Sequence, residues 1–290
     1  AIHSLNLDLM FKQLSLPDVA LHQLTQAYMI EEIQASNEIE GVRSSRKEIR
    51  AALELSKLAN KDKAVRFSSI VSKYNKLLNK TKIKFATCQD IRKFYDEFIL
   101  EEVATENIKN KPDGTIFRAD NVEITTGTQK VLHMGTYPET KLIDEMEKAL
   151  EILHNEKYPL VIRVALFHYL FAYSHPFYDG NGRTSRFISS YLLSQNLNPL
   201  IAFRLSYTIK ENIKKYYDAF DICNNPLNKG ELTPFVEMFL GIVEASMKQL
   251  LNSLEDKLSR LCFYDDYINF LYKHNKNDSK LYSVLIQASL

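Results

Sequence analysis

Apolar side chains recur every three or four residues along almost the whole chain, and this spacing constrains the fold more than any other feature. Leu21, Leu24, Tyr28 and Ile33 mark a helix that runs on to Ile39. Ile49, Leu53 and Leu58 mark a second, opened by a capping signal of Ser45 (or Ser44) with Glu48. Val65, Ile70, Val71, Tyr74, Leu77 and Leu78 mark a third over 65–79, and Ile91, Phe94, Tyr95, Phe98 and Ile99 a fourth over 89–103. Helices are expected again over 139–153, 159–173, from about Arg183 to Gln195, and near 208–222, 232–254 and 263–273. One stretch departs from this period. Asn121-Val122-Glu123-Ile124-Thr125-Thr126-Gly127 alternates, and Pro112, Gly114 and Gly127 bracket it, so it reads as a short strand or hairpin with Val122 and Ile124 on one side. The expected fold is mainly α with one small β element.

Composition narrows the function classes. With 45% apolar residues in 290, the chain can bury a sizeable core. Lys and Arg total 37 against 36 Asp and Glu, a net charge of +1, which argues against a nucleic-acid partner held by bulk charge. The basic run Lys80-Thr81-Lys82-Ile83-Lys84 reads as a solvated turn. Cys88, Cys223 and Cys262 are far apart and form neither a disulfide framework nor a zinc knuckle. The N-terminus lacks the pattern of a signal peptide. The most apolar run, Val161 to Tyr173, carries Arg163 and His168 and is too short to span a bilayer. A soluble, cytoplasmic protein with no membrane partner is expected.

The chemistry is concentrated in His175-Pro-Phe-Tyr-Asp-Gly-Asn-Gly-Arg-Thr-Ser-Arg186, between an apolar helix and an amphipathic one. Gly180 and Gly182 around Asn181 allow a tight turn and let backbone N–H groups approach a ligand. Those amides open the next helix, where unpaired donors and the macrodipole favour an anion. Arg183 and Arg186, three residues apart, are expected on the first turn, facing the same oxyanions. Asp179 offers a hard oxygen suited to Mg²⁺ shared with phosphates, and His175 a base with an ordinary pKa of about 6.5. Each residue alone has an ordinary structural explanation. Their conjunction within one loop is that of a phosphoryl-transfer site. Neither a GxxxxGK nor a GxGxxG loop occurs in the chain.

The string matches HxFx[D/E]GNGRxxR at every specified position, and the chain resembles Fic-domain proteins. The resemblance implies a helical bundle with a β-hairpin flap, and an enzyme that transfers AMP from Mg-ATP to a Tyr, Thr or Ser hydroxyl of a target protein. It implies His175 as the base, Asp179 as the Mg²⁺ ligand, and Asn181 with the Gly180 and Gly182 backbone as the anion hole. It further implies Arg183 and Arg186 on the phosphates, Arg186 on the γ-phosphate. Doc-type relatives carry Lys at the position of Gly182, so Gly182 points to adenylylation. Phe117-Arg118 and the strand Val122–Thr126, with Glu123 and Ile124, correspond to the flap that holds a target segment by β-augmentation. Ser206, Tyr216-Tyr217, Phe235 and Phe239 read as core packing.

Ser36-Asn-Glu-Ile-Glu40-Gly41 fits [S/T]xxxE[G/N], which resembles the inhibitory motif some Fic proteins carry. Glu40 would then take Arg186 away from the γ-phosphate; the plain alternative is a solvated Glu on a helix ended by Gly41. Glu38 competes, but only Glu40 has the right offset from Ser36. The expected division is an N-terminal helical region over 1–85, a core over 86–225 and a C-terminal helical region over 226–290. Two other readings use the same site: a hydrolase that removes AMP, and a nucleotide-binding regulatory module without turnover. A DNA-binding adaptor over 263–290 lacks a basic face, and His154, His168 and His175 form no zinc-ligand pattern. The pattern leaves the oligomeric state open, a homo-oligomer included.

Overall fold

The computed structural model describes residues 1–57, 66–79, 81–125, 131–273 and 275–289. Leu58, Val65, Lys80, Thr126 and Gly127, used above, lie outside them. The described residues form a mainly α fold. Helices α1 (Ile2–Leu14), α2 (Asp18–Ile39), α3 (Arg46–Lys57) and α4 (Ser68–Leu78) precede α5 (Cys88–Phe98) and α6 (Leu100–Glu106). A hairpin of β1 (Glu123–Thr125) and β2 (Val131–Met134) follows. The chain continues through α7 (Glu139–His154), α8 (Leu160–Ser174), α9 (Asn181–Ser194), α10 (Leu205–Glu211), α11 (Ile213–Asn224), α12 (Thr233–Leu271) and α13 (Lys276–Ser289). No helix among the described residues is long and apolar enough to cross a membrane.

Helix α8 is central, packed by α7, α9 and α12, while α2 lies across α9 and α10. Its apolar run has no polar stripe because neighbours cover it on several sides. One hydrophobic core runs from Leu9 to Leu254. Phe187 of α9 is fully buried, edge-on to Tyr74 at 4.8 Å and stacked on Phe94 at 5.1 Å. Phe187→Ala is expected to lower unfolding free energy by about 3–5 kcal/mol, read by chemical denaturation.

Several boundaries differ from the sequence expectation. The 89–103 pattern is two helices, broken at Ile99, where φ is −143° and the side chain packs beneath Gly180. The segments 232–254 and 263–273 are one helix, α12, because Met247, Leu254, Leu261 and Ile268 continue a buried stripe at seven-residue spacing through the charged stretch between them. Helix α1 has no clear period in sequence, because Leu7, Met10, Phe11 and Leu14 are exposed while Asn6 and Leu9 are buried. The cap of α3 is a reciprocal box: Glu48 N–H donates to Ser45 Oγ (3.2 Å) and Ser45 N–H to Glu48 Oε2 (2.8 Å).

In the hairpin, Glu123 pairs with Met134 and Ile124 with His133, with an irregularity before Thr125 and Val131. Val122 precedes the strand rather than belonging to it, although its carbonyl still accepts from Gly135 N–H at 2.9 Å.

Candidate active site

The loop after α8 is built by its own side chains. Helix α8 stops at His175, which adopts the left-handed conformation (φ 52°, ψ 64°), uncommon for a residue with a Cβ. The Asn181 amide closes the loop behind it: Nδ2 donates to Phe177 O (2.7 Å), and Oδ1 accepts from Phe177 N–H (3.0 Å). Phe177 is fully buried and stacks on Tyr95 with ring centres 3.6 Å apart. The Tyr95 hydroxyl donates to Asp179 O at 3.0 Å. Gly180 turns the chain with φ 77°. Helix α9 therefore begins at Asn181, two residues earlier than expected, and Arg186 stands in its second turn.

The N-terminal amides of α9 have no partner one turn back. Asn181, Gly182, Ser185 and Arg186 of this end, with His175, line a cavity of about 190 Å³. His133, Tyr173, Tyr216, Tyr217, Asn224 and Glu40 also line it. Burial pushes the His175 imidazole down to about 4; Glu40 opposes this, while Arg118 and His133 add to it. His175 is thus neutral at physiological pH, ready to take a proton. Its titration, followed by NMR over pH 4–8, is expected to centre near 4, so that the imidazole gains its proton only as pH falls through that value. Stability is likewise lost as pH falls from about 6.5 to about 4, because there the unfolded imidazole binds its proton and the folded one does not. A midpoint near 6.5 in the folded protein contradicts this.

Arg186 is 1% exposed and is met by the last turn of α2. Its Nη2 lies 2.8 Å from Glu40 Oε1 and donates to Ser36 O at 2.9 Å, while Nε donates to Ser36 Oγ at 3.1 Å. Burial alone would lower the Arg186 pKa; the Glu40 carboxylate and the Tyr216 and Tyr217 hydroxyls hold it above its ordinary value. Glu40 caps the C-terminal end of α2, where the macrodipole disfavours an acid and a facing cation offsets the cost. Gly41 (φ 71°) ends that helix, with Val42 N–H bonded to Asn37 O and Gly41 N–H to Glu38 O. A Cβ on Gly182 would sit 2.0 Å from Glu40 Oε1, so only glycine lets the carboxylate rest on the start of α9. Glu38 instead pairs with Lys210.

Arg183 does not share the carboxylate partner of Arg186. Although equally buried, it turns to Glu102 of α6 (2.7 Å) and lies 3.6 Å from Asp179 Oδ1. The two arginines find partners on different elements, Glu102 of α6 and Glu40 at the end of α2. Asn181 likewise spends its side chain on the loop, leaving its backbone for the cavity. Asp179 has a side chain 35% exposed, and Asn110 Nδ2 donates to its Oδ2 at 3.3 Å. No cluster of three or more His, Cys, Asp or Glu that could hold a metal occurs among the described residues. A single accessible carboxylate fits Mg²⁺ nonetheless, since that ion commonly takes one or two protein oxygens and completes its shell with phosphates and water.

Sequence reasoning missed part of this site. Tyr216 and Tyr217, read as core, line the cavity, and Tyr217 is 46% exposed. His133, from β2, reaches Tyr173 O at 2.8 Å. Glu32, fully buried, accepts N–H bonds from Ser206 (2.9 Å) and Tyr207 (3.2 Å), anchoring α2 on the start of α10; burial pushes it up to about 7. An acid beside Ile33 on the apolar side of α2 was the only available signal for Glu32. Flap residues Val122 and Glu123 lie beyond this cavity's lining.

Residues 85–193 match the model of the Fic/DOC family. Protein adenylyltransferase fic-1 of Caenorhabditis elegans is 25% identical over 194 residues, 61% of this chain and 35% of that protein. Protein adenylyltransferase Fic of Drosophila ananassae is 30% identical over 115 residues, 40% of this chain and 21% of that protein. The chain therefore spans well under half the length of these curated relatives. The crystal structure of a Fic family protein from Desulfovibrio desulfuricans G20 superimposes with a TM-score of 0.64 at 21% identity, covering 87% of this chain and 74% of that one. A Fic domain containing signaling protein from Bacteroides thetaiotaomicron does so with a TM-score of 0.54 at 17% identity, covering 87% and 97%.

Proposed function

Because residues 85–193 are a Fic/DOC family domain, we propose that the chain transfers AMP from Mg-ATP to a Tyr, Thr or Ser hydroxyl of a target protein, and that it rests in an autoinhibited state. In this reading the neutral His175 imidazole takes the hydroxyl proton as the oxygen attacks the α-phosphorus. The bond from that phosphorus to the bridging oxygen breaks and pyrophosphate leaves. Backbone amides at the start of α9 hold the charge that develops on the phosphate oxygens. Asp179 would hold Mg²⁺, which when bound offsets charge on the α- and β-phosphates. The outer edge of β1, with Glu123 and Ile124, would take the target segment as an added strand.

The pairing of Glu40 with Arg186 carries the autoinhibited part of this reading. Its carboxylate rests against Gly182 at the start of α9, an oxyanion where phosphate oxygens would lie. The remaining cavity, about 190 Å³, falls below the roughly 300 Å³ at which ligand pockets usually begin. Arg183 would serve by holding Asp179 and α6 in place rather than by touching phosphate. Three free cysteines, two of them buried, suit a reducing, cytoplasmic setting.

The test is incubation of Glu40→Gly protein with ATP, GTP, CTP and UTP in turn, with Mg²⁺, followed by intact-mass measurement of the protein and of lysate acceptors. A gain of one AMP with ATP supports the proposal. A second reading has its own basis, since Glu40 and His175 line one cavity and the acid could orient water for AMP removal. AMP release by the wild type, lost in Glu40→Gly, selects that direction. Nucleotide binding with neither reaction selects a regulatory module.

A further inference from the structure

Arg118 is 1% exposed, among the largest fully buried side chains of the protein, and it stands between the hairpin and the catalytic loop. Its Nε donates to His175 O at 2.8 Å, and its Nη2 to Thr136 O at 2.9 Å and Ser174 O at 3.3 Å. Its Nη1 donates to Asp120 O at 2.6 Å. All four acceptors are backbone carbonyls. Burial lowers the Arg118 pKa, and the side chain that opposes this is Tyr178 rather than a carboxylate. The cation is offset instead by the C-terminal carbonyls of α8, the negative end of that helix dipole.

The four carbonyls are not scattered. Asp120 precedes β1 and Thr136 follows β2, so the fork grips both ends of the hairpin. Ser174 and His175 are the last residue of α8 and its left-handed cap. Backbone bonds run parallel to the fork: Arg118 N–H to Pro176 O (3.2 Å) and Thr136 N–H to Ser174 O (3.1 Å). Gly135 completes the contact. A Cβ there would lie 2.5 Å from Arg118 Nη2 and 3.3 Å from the His175 Cβ, so the hairpin backbone presses the guanidinium toward the base.

We propose that Arg118 is a positioning residue that locks the left-handed backbone of His175 to both ends of the flap, so that a docked target segment and the base are held as one unit. The inference rests on the reading of His175 as base and of the hairpin as target dock. A planar fork with fixed donor directions can hold four carbonyls in register; a Lys ammonium in the same place keeps the charge but not the geometry.

The test compares Arg118→Gln, Arg118→Lys and Gly135→Ala in the full chain. By hydrogen exchange, each is expected to speed exchange in the peptides covering 131–136 and 172–177 together, and to leave those of α5 and α12 unchanged. Placed in Glu40→Gly protein, Arg118→Gln and Arg118→Lys are expected to lower kcat on the order of 100-fold, as for a base displaced by about 1 Å. The KM for ATP is expected to stay within about threefold, because the nucleotide contacts lie on α9. Gly135→Ala should show the same split with Arg118 present. Exchange that rises across the whole protein, or in only one of the two peptides, rejects the coupling. So does a kcat for Arg118→Lys equal to the parent's. If Glu40→Gly protein itself transfers no AMP, the proposed function fails, and the exchange pattern alone decides this inference.

Discussion

In protein freed by Glu40→Gly, adding His175→Ala is expected to cut AMP incorporation by about 10²–10⁴-fold, the range a positioned general base supplies. Two features make His175 suited to that role. Burial holds its pKa down to about 4, so at pH 7 essentially every molecule carries the proton-accepting form. Its left-handed backbone, bound through its carbonyl to Arg118, points the side chain into the cavity that the α9 amides also line. ATP affinity should be nearly unchanged if, as proposed, the imidazole acts on the incoming hydroxyl and the triphosphate is held by α9. Single-turnover assays with an isolated ATP-binding measurement separate these effects. Labelling undiminished by His175→Ala removes it as the base, and a matching loss of ATP affinity would make it a binding residue instead.

Glu40→Gly alone is expected to raise AMP incorporation over wild type by about 10- to 150-fold. This corresponds to losing one charge-assisted contact worth about 1.5–3 kcal/mol in the resting state. The magnitude follows from asymmetry of burial: Arg186 is 1% exposed but the Glu40 side chain 29%, so solvent screens one partner of the pair. Removing the acid leaves Arg186 buried without its counter-charge, which the γ-phosphate could then supply. Ser36 still holds that side chain in place, its hydroxyl accepting from Nε and its carbonyl from Nη2. Glu40→Gln should fall between the two, keeping the shape of the lid without its charge. Equal labelling by wild type and Glu40→Gly would falsify autoinhibition through this pair.

The fold class was readable because helical periodicity is a local property, repeated through most of the chain, and a single alternating stretch stood apart from it. Boundaries were less readable. The charged stretch from Glu255 to Arg260 looked like a break between two segments, yet α12 runs straight through it, since hydrogen bonds within a helix do not require an apolar side chain at every turn. The 89–103 pattern looked continuous, yet Ile99 leaves the helical conformation where the active loop packs on it. Neither outcome depends on residues near the boundary alone.

The residue types of the loop at 175–186 were legible in sequence, because a loop between two helices carries its histidine, its carboxylate, its turn-forming glycine and its helix-opening amides contiguously. Nothing distant is needed to bring them together. What faces each of those groups was decided only by the tertiary structure. Arg183 turns to Glu102 and Arg186 to Glu40 although both sit on α9, because the fold brings α6 to one arginine and the end of α2 to the other. Glu40 reaches its partner because Glu32, two turns earlier, is anchored on α10, and Arg118 reaches His175 because the hairpin folds back over the end of α8. A side chain's type is local, whereas its partner is set by which helices the whole core packs side by side.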